Sequence, residues 1–278
     1  SALLARVKTQ LTLKEAVKAR HLLWSLHQEL DIARKIQNSF LLPPKPDWSQ
    51  PAIVCFSAPA SEVGGDFYLY HAFEGAETRR FALAVGDVTG KGIPAAMLMA
   101  GSIASLQAIL PETLPPEQLL TKLDKAIGLH TQMANQNCAL CYAELTVPRN
   151  GNGHHPPATL RVANAGCIPP LIRRAGGSTE WVDVVGLPLG LALGLSLGYE
   201  PATTELEPGD LVVLTSDGLV EATAANKELF GFERLEQAVA GGPATHPEAM
   251  VAHLRAEVSA FLGPAEIHDD VTIVVLQV

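Results

Sequence analysis

The stretch Phe81-Ala82-Leu83-Ala84-Val85-Gly86-Asp87-Val88-Thr89-Gly90-Lys91-Gly92 places a carboxylate between an apolar run and a glycine-rich turn. A short apolar run bounded by turn residues predicts a buried strand. Ile93 follows the turn, and Pro94 suits the first turn of a helix predicted from Ile93 to Ile109. A charge at the end of a buried strand is costly unless it is paired or bound to metal. Asp87 is therefore a candidate for a catalytic or metal-binding residue.

Further acidic positions share this context: Asp66, Asp217 and the neighbouring Asp269 and Asp270. Each begins or ends a strongly apolar segment. Taken singly, any of them is also consistent with an ordinary turn, because Asp and Gly both favour turns. Carboxylates brought together repel one another, and a divalent cation removes that cost. Because all the ligands would be oxygen atoms, the pattern favours Mg²⁺ or Mn²⁺ over zinc.

The composition excludes several classes of protein. The chain has 278 residues, of which 47% are apolar and 18% charged, so disorder over most of its length is excluded. A formal net charge of -9 argues against general nucleic-acid binding. The longest apolar run, residues 187–197, is too short to span a bilayer, and no export segment is recognised. The cysteines are too sparse for a disulfide scaffold and predict reduced thiols in a cytoplasmic protein: Cys55, Cys138, Cys141 and Cys167.

The N-terminal segment differs from the rest of the chain. Residues 1–40 contain neither Gly nor Pro, which predicts a helix from Leu3 to Phe40. It carries seven basic and three acidic residues, a net charge of +4, against -13 for the remainder. An apolar stripe with coiled-coil spacing runs through Ala16, Ala19, Leu23, Leu26, Leu30 and Ala33. The helix is either a dimerising or signal-relaying stalk, or a cover for the core of its own domain.

Leu42-Pro43-Pro44 ends this helix, which divides the chain into residues 1–42 and residues 43–278. In the second part, apolar patterns predict strands at 52–58, 67–73, 80–86, 138–147, 159–165, 171–174, 203–206, 210–216 and 271–278. Helices are predicted at 93–109, 116–134, 232–239 and 247–262. Strands in groups and helices in groups indicate an α+β fold with antiparallel sheets.

Several short segments in order make a specific pattern. They are Ala33-Arg34-Lys35-Ile36-Gln37 with Leu42-Pro43, Val63-Gly64-Gly65-Asp66-Phe67-Tyr68, Gly86-Asp87-Val88-Thr89-Gly90-Lys91-Gly92, Asn164-Ala165-Gly166, Pro208-Gly209-Asp210, Thr215-Ser216-Asp217-Gly218-Leu219-Val220-Glu221, Phe230-Gly231 and Asp269-Asp270-Val271-Thr272. From about Leu30 to the C-terminus the chain resembles the bacterial PP2C-like (PPM-type) serine/threonine phosphatases of the sporulation and stress-response sigma-regulator kind.

The resemblance implies an α-β-β-α sandwich of two antiparallel sheets, with a site for two Mn²⁺ or Mg²⁺ ions at one edge. Asp87 would bridge both ions, and the Val88 carbonyl would assist at one of them. Asp66 would hold the second ion through its side chain or a water. Asp217 and Asp269 would hold the first, although the roles of Asp269 and Asp270 could be exchanged.

The resemblance also implies a reaction and partners. A water activated by the two ions would attack the phosphorus of a phosphoserine or phosphothreonine, without a covalent phosphoenzyme. The implied substrate is a phosphorylated anti-sigma-factor antagonist. An upstream sensor and a homodimer formed through the N-terminal helix are further expectations. The alternative is a catalytically weak or inactive phosphatase fold that acts as a binding module.

Other motifs have simpler interpretations. The segment 86–92 does not match a P-loop, since three residues separate Gly86 from the Gly-Lys pair where that motif needs four. Cys138 and Cys141 have metal-site spacing, but in a strand they would face opposite sides, which favours core packing. Cys167 replaces a histidine found in many relatives, which puts substrate specificity in question. His154 and His155 lie in a local insertion, 148–157, and are more typical of a solvated loop than of zinc ligands.

Overall fold

Two five-stranded antiparallel sheets pack face to face, with helices on both outer surfaces, in a computed structural model. The structure describes residues 2–48, 50–73, 75, 78–148, 157–191, 193–265 and 267–278. This is the predicted α-β-β-α sandwich. The insertion with His154 and His155 lies outside the described residues, so the expectation for it stays a prediction.

Most strands and helices lie at or close to the positions predicted from the sequence. The strands are β1 (Ala52–Ala58), β2 (Phe67–Phe73), β3 (Thr78–Val88), β4 (Cys138–Pro148), β5 (Ala158–Ala165), β6 (Leu171–Arg173), β7 (Thr179–Trp181), β8 (Ala202–Leu206), β9 (Leu211–Thr215) and β10 (Val271–Gln277). The helices are α1 (Ala2–Phe40), α2 (Ile93–Ile109), α3 (Pro116–Ala134), α4 (Leu193–Leu197), α5 (Gly231–Gly241) and α6 (Pro247–Leu262). Short 3₁₀ turns span Leu110–Glu112 and Asp217–Leu219. β7 and α4 were not predicted.

The strand order places the chemically important strand ends together. One sheet has the order β1-β10-β9-β6-β7 and the other β2-β3-β4-β5-β8. β10 lies between β1 and β9, with Ile273 opposite both Phe56 and Thr215. In the other sheet, Phe67 at the start of β2 pairs with Gly86 near the end of β3. The start of β2 therefore lies beside the end of β3.

Three apolar layers hold the sandwich together. Alternate residues of each strand point to opposite faces, so one set fills the space between the sheets, including Leu83, Cys141 and Val274. The set that includes Ala84 and Cys138 packs under α2 and α3. The third layer packs the outer face of the other sheet against α5 and α6. Cys138 and Cys141 thus face opposite sides of β4, which confirms core packing as their role.

The N-terminal helix projects from this body. Every described side chain from Leu3 to Glu29 is exposed, so the interpretation of this part as a cover for its own core is wrong. The end of the helix does pack, since Phe40 contacts the layer beneath α2. The hydroxyls of Tyr68 and Tyr70 donate hydrogen bonds to the carbonyls of Leu42 and Pro43, at 2.5 and 2.9 Å. These bonds anchor the segment that follows α1 to β2.

The segment Ile93–Glu112 is long and apolar enough to cross a bilayer, with a mean hydropathy of 1.7. In the fold its helix packs on a sheet, and Ala95, Met99 and Leu106 are almost fully buried there. This burial is typical of a core helix.

Candidate metal centre

Asp66 connects the two sheets at the edge of the sandwich where β2 starts and β3 ends. It lies immediately before β2 and is 5% exposed. Its Oδ2 accepts a hydrogen bond of 2.6 Å from the hydroxyl of Ser216, which directly follows β9. The same hydroxyl accepts the backbone N–H of Thr272 at 2.9 Å. Burial, and then the charge of Asp87, raise the pKa of Asp66 well above its ordinary value.

Asp87 lies at the centre of the acidic group. It is half-buried near the end of β3, where it pairs with Ala139 of β4. Its pKa is raised from 3.8 to about 7, mainly by burial and then by the charges of Asp217, Asp269 and Asp270. A hydrogen bond with the Asp66 side chain lowers it in part. Asp87 thus interacts with all the other acids predicted for the site.

Asp217 begins the 3₁₀ turn after β9. Its pKa is raised by burial first, and then by the charges of Glu221 and Asp269. Glu221 ends the segment 215–221, and no role was predicted for it. Its proximity to Asp217 adds another negative charge to this edge of the sandwich.

The two neighbouring acids Asp269 and Asp270 have different surroundings. Asp270 accepts backbone N–H groups with both oxygens, from Ala60 at 2.7 Å and Gly65 at 2.6 Å. The Asp269 side chain is 42% exposed, and its Oδ2 lies 3.3 Å from the Lys91 ammonium. Its Oδ1 accepts the backbone N–H of Asp270 at 3.0 Å. Both carboxylates therefore have partners, and they differ in that Asp270 binds the backbone of a distant loop whereas Asp269 is partly exposed and pairs with Lys91.

Residues 59–66 form the loop that carries Asp66, and two glycines allow its close packing. A Cβ atom on Gly64 would overlap the Asp270 carboxylate. A Cβ atom on Gly65 would lie 2.6 Å from the Val88 carbonyl oxygen. The Val88 N–H in turn donates to the Gly65 carbonyl at 3.3 Å. The loop therefore packs directly against the end of β3 that carries Asp87.

The donor set suits hard divalent cations. Four carboxylates come from separate parts of the chain: Asp66, Asp87, Asp217 and Asp269. The charges of Asp217 and Asp269 raise the pKa of Asp87, and the charge of Asp87 raises the pKa of Asp66. Within the described part of the chain, no three His, Cys, Asp or Glu side chains already form a ligand set for one ion. Asp66 bonds to Ser216 and Asp269 pairs with Lys91.

Cys167 is hydrogen-bonded on both of its backbone groups near the site. The Asn164 side chain accepts the Cys167 N–H at 2.9 Å and donates to its carbonyl at 2.8 Å. The Cys167 sulfur lies 3.8 Å from the Thr215 carbonyl oxygen, two residues before Asp217. Burial raises the pKa of this thiol well above its ordinary value, so it remains protonated at neutral pH. The cysteine has the character of a packing residue.

Comparison with known proteins identifies relatives of this chain. The family described as "Stage II sporulation protein E (SpoIIE)" matches residues 77–278. "Phosphoserine phosphatase RsbU" of Bacillus subtilis (strain 168) is 28% identical over 256 residues, which cover 91% of this chain and 70% of that protein. "Protein IcfG" of Synechocystis sp. is 24% identical, but the match covers 88% of this chain and 41% of that protein.

Solved structures share the fold. The "SiaA-PP2C domain of Pseudomonas aeruginosa" has a TM-score of 0.73 at 20% identity, and the match covers 91% of this chain and 97% of that one. The catalytic domain of the serine threonine protein phosphatase PstP, solved with 2 manganese ions, has a TM-score of 0.51 at 18% identity; coverage is 81% and 96%. At these identities the likeness establishes the fold alone.

Proposed function

This chain belongs to the stage II sporulation protein E family, and from that premise we propose that it is a metal-dependent protein serine/threonine phosphatase. The observation that supports the proposal best is the proximity of four carboxylates at one edge of the sandwich: Asp66, Asp87, Asp217 and Asp269. These residues come from the start of β2, the end of β3, the end of β9 and the start of β10. Its homologue in Bacillus subtilis is named as a phosphoserine phosphatase.

Two Mn²⁺ or Mg²⁺ ions are the proposed cofactors. When bound, they would supply a water acidified to near neutral pH and positive charge for the phosphoryl oxygens. We assign Asp87 to both ions, Asp66 to one, and Asp217 with Asp269 to the other, with the Val88 carbonyl assisting. Asp270 has the role of positioning the loop that carries Asp66, because its two oxygens accept backbone N–H groups there.

Hydrolysis of p-nitrophenyl phosphate by the purified chain tests the activity. Turnover is expected with Mn²⁺ and is expected to fall to background when EDTA removes the metal. The alternative is a catalytically inactive binding module of the same fold. If the folded protein released no phosphate from either p-nitrophenyl phosphate or a phosphoserine-containing protein, with Mn²⁺ or Mg²⁺, that alternative would replace the enzymatic assignment.

The proposed substrate is a phosphoserine or phosphothreonine on an anti-sigma-factor antagonist. Support comes from the resemblance of the ordered motifs to sigma-regulator phosphatases. A cytoplasmic location and an upstream sensor belong to the same proposal. Candidate phosphoproteins of this kind, mixed with the chain and Mn²⁺, are expected to lose phosphate faster than unrelated phosphoproteins.

We also propose that α1, with residues 1–42 as a unit separate from 43–278, forms a homodimer. Its apolar side chains are exposed, with Leu23 at 56% and Leu26 at 46%. Exposed apolar stripes of this kind are typical of helix–helix interfaces.

Deletion of residues 1–28 is expected to convert a dimer into a monomer and to change turnover. The physical reason is loss of the apolar stripe that would be buried between two helices. Light scattering and the phosphatase assay measure the two effects. A deletion that altered neither the mass in solution nor the rate would contradict the role of α1.

A further inference from the structure

We propose that Gln37 of α1 is a positioning residue for Asp66, acting through the backbone of Gly64. The inference rests on the proposed metal centre. The candidate ligands all lie in the sandwich itself, whereas Gln37 comes from the helix that projects from it. Its side chain is 7% exposed, although the described side chains of α1 from Leu3 to Glu29 are all exposed.

The Gln37 side chain binds both backbone groups of one residue. Its Nε2 donates to the Gly64 carbonyl at 2.5 Å, and its Oε1 accepts the Gly64 N–H at 3.1 Å. These two hydrogen bonds fix the plane of the Gln37 side-chain amide relative to the backbone of Gly64, and so hold Gly64 in position. Because Gly64 is buried, loss of the contact would leave its backbone groups without these partners, at a cost for each.

Arg34, one turn earlier in α1, extends the same contact. Its Nε donates to the Glu62 carbonyl at 2.5 Å, and its Nη2 donates to the Ser61 carbonyl at 3.2 Å. Together with Gln37 it holds three successive parts of the loop, at residues 61, 62 and 64. The end of α1 therefore binds the loop along most of its length.

The opposite side of the loop is held by Asp270. Its carboxylate accepts the N–H groups of Ala60 and Gly65, and the backbone at Gly64 passes too close to it for any side chain. The loop is thus clamped between α1 and the residues before β10. Asp66 follows Gly64 by two residues, so a displacement of Gly64 reaches the Asp66 carboxylate with little chain in between to absorb it.

Replacement of Gln37 by Met keeps the length and most of the volume of the side chain but removes both hydrogen bonds. Mn²⁺ affinity of the intact chain, measured by calorimetry, is expected to fall by about 10–100-fold, the usual loss when a group that orients a ligand is removed. In the phosphatase assay, the Mn²⁺ concentration for half-maximal rate is expected to rise by a similar factor. The rate at saturating Mn²⁺ is expected to stay within about threefold of the wild type.

Gln28→Met is the matched control, since Gln28 is exposed on the same helix. It is expected to leave Mn²⁺ affinity unchanged. A merely structural role for Gln37 would lower the melting temperature without changing Mn²⁺ affinity at temperatures where the variant is folded. Equal Mn²⁺ affinity for folded Gln37→Met and wild type would overturn the inference.

Arg34→Met provides a second variant should Gln37→Met fail to fold, because Arg34 is less buried than Gln37. It is expected to weaken Mn²⁺ binding in the same direction by a smaller factor, and unchanged affinity in this variant would equally contradict the inference. Failure of the proposed function has a different signature: wild type itself would then bind no Mn²⁺. If wild type binds Mn²⁺ and both variants bind it equally well, the positioning role alone is wrong.

Discussion

Asp87→Asn is expected to lower kcat/KM for p-nitrophenyl phosphate by about 10³-fold or more, equivalent to about 4 kcal/mol of transition-state stabilisation. The carboxylate interacts with Asp66, Asp217 and Asp269, and the proposed metal centre assigns it to both ions. An asparagine keeps the shape of the side chain but removes the negative charge that would hold two divalent cations. Steady-state kinetics over a range of Mn²⁺ concentrations measures the loss.

The same substitution is expected to make the metal-free protein more stable. Burial and neighbouring carboxylates raise the pKa of Asp87 to about 7, so ionising it in the folded state is unfavourable. Removing the charge should raise the melting temperature in EDTA by roughly 3–8 °C at pH 8, for about 1–3 kcal/mol.

Asp183→Asn is the matched control for Asp87→Asn, because Asp183 is exposed. It is expected to change neither the rate nor the melting temperature. An Asp87→Asn variant that retained activity within tenfold of wild type would contradict the assignment of Asp87. A destabilised, inactive variant would indicate that misfolding caused the loss.

The stability of the metal-free protein is expected to fall as the pH rises from about 4 to about 7. The folded pKa of Asp87 is about 7 and its ordinary value is 3.8. Between these values the folded chain keeps a proton that the unfolded chain has released, so the stability contribution is full below pH 3.8 and is lost by about pH 7. The raised pKa values of Asp66 and Asp217 act in the same direction.

Mn²⁺ is expected to reverse this trend, because cation and proton compete for the same carboxylates. The rise in melting temperature on adding Mn²⁺ should therefore be larger at pH 8 than at pH 5. Thermal denaturation of wild type and Asp87→Asn in EDTA, between pH 5 and pH 8, isolates the contribution of Asp87 to the pH dependence of stability. We expect the free energy difference between them to change by about 2–4 kcal/mol. Parallel curves for the two proteins would contradict a buried, repelled Asp87.

Most of the fold could be predicted because its strands and helices have strong local patterns. β1, β2, α2, α3 and α6 were predicted to the residue. β3 is longer than predicted, since Asp87 and Val88 continue the ladder by pairing with Ala139 and Cys138 of β4. Local sequence does not reveal that partner. β7 was missed because it has three residues and exists through its pairing with β6, where Trp181 lies opposite Leu171.

The positions of the acids at strand ends could be predicted from the sequence, whereas the hydrogen bonds that connect them could not, and their role as metal ligands stays a prediction. Asp66, Asp87, Asp217 and Asp269 lie together because β2, β3, β9 and β10 start or end at the same edge. The sequence could not assign separate roles to Asp269 and Asp270, since their difference depends on the loop that Asp270 binds. The contact between Gln37 and Gly64 joins residues 27 positions apart, and no local pattern indicates it.

Anomalous diffraction from crystals grown with Mn²⁺ tests the central claim most directly. Two peaks about 3.5–4 Å apart are expected, bound by oxygens of Asp66, Asp87, Asp217 and Asp269. Asp270 should remain on the backbone N–H groups of Ala60 and Gly65. Crystals that contain Mn²⁺ in solution but show no peak among these four carboxylates would contradict the account.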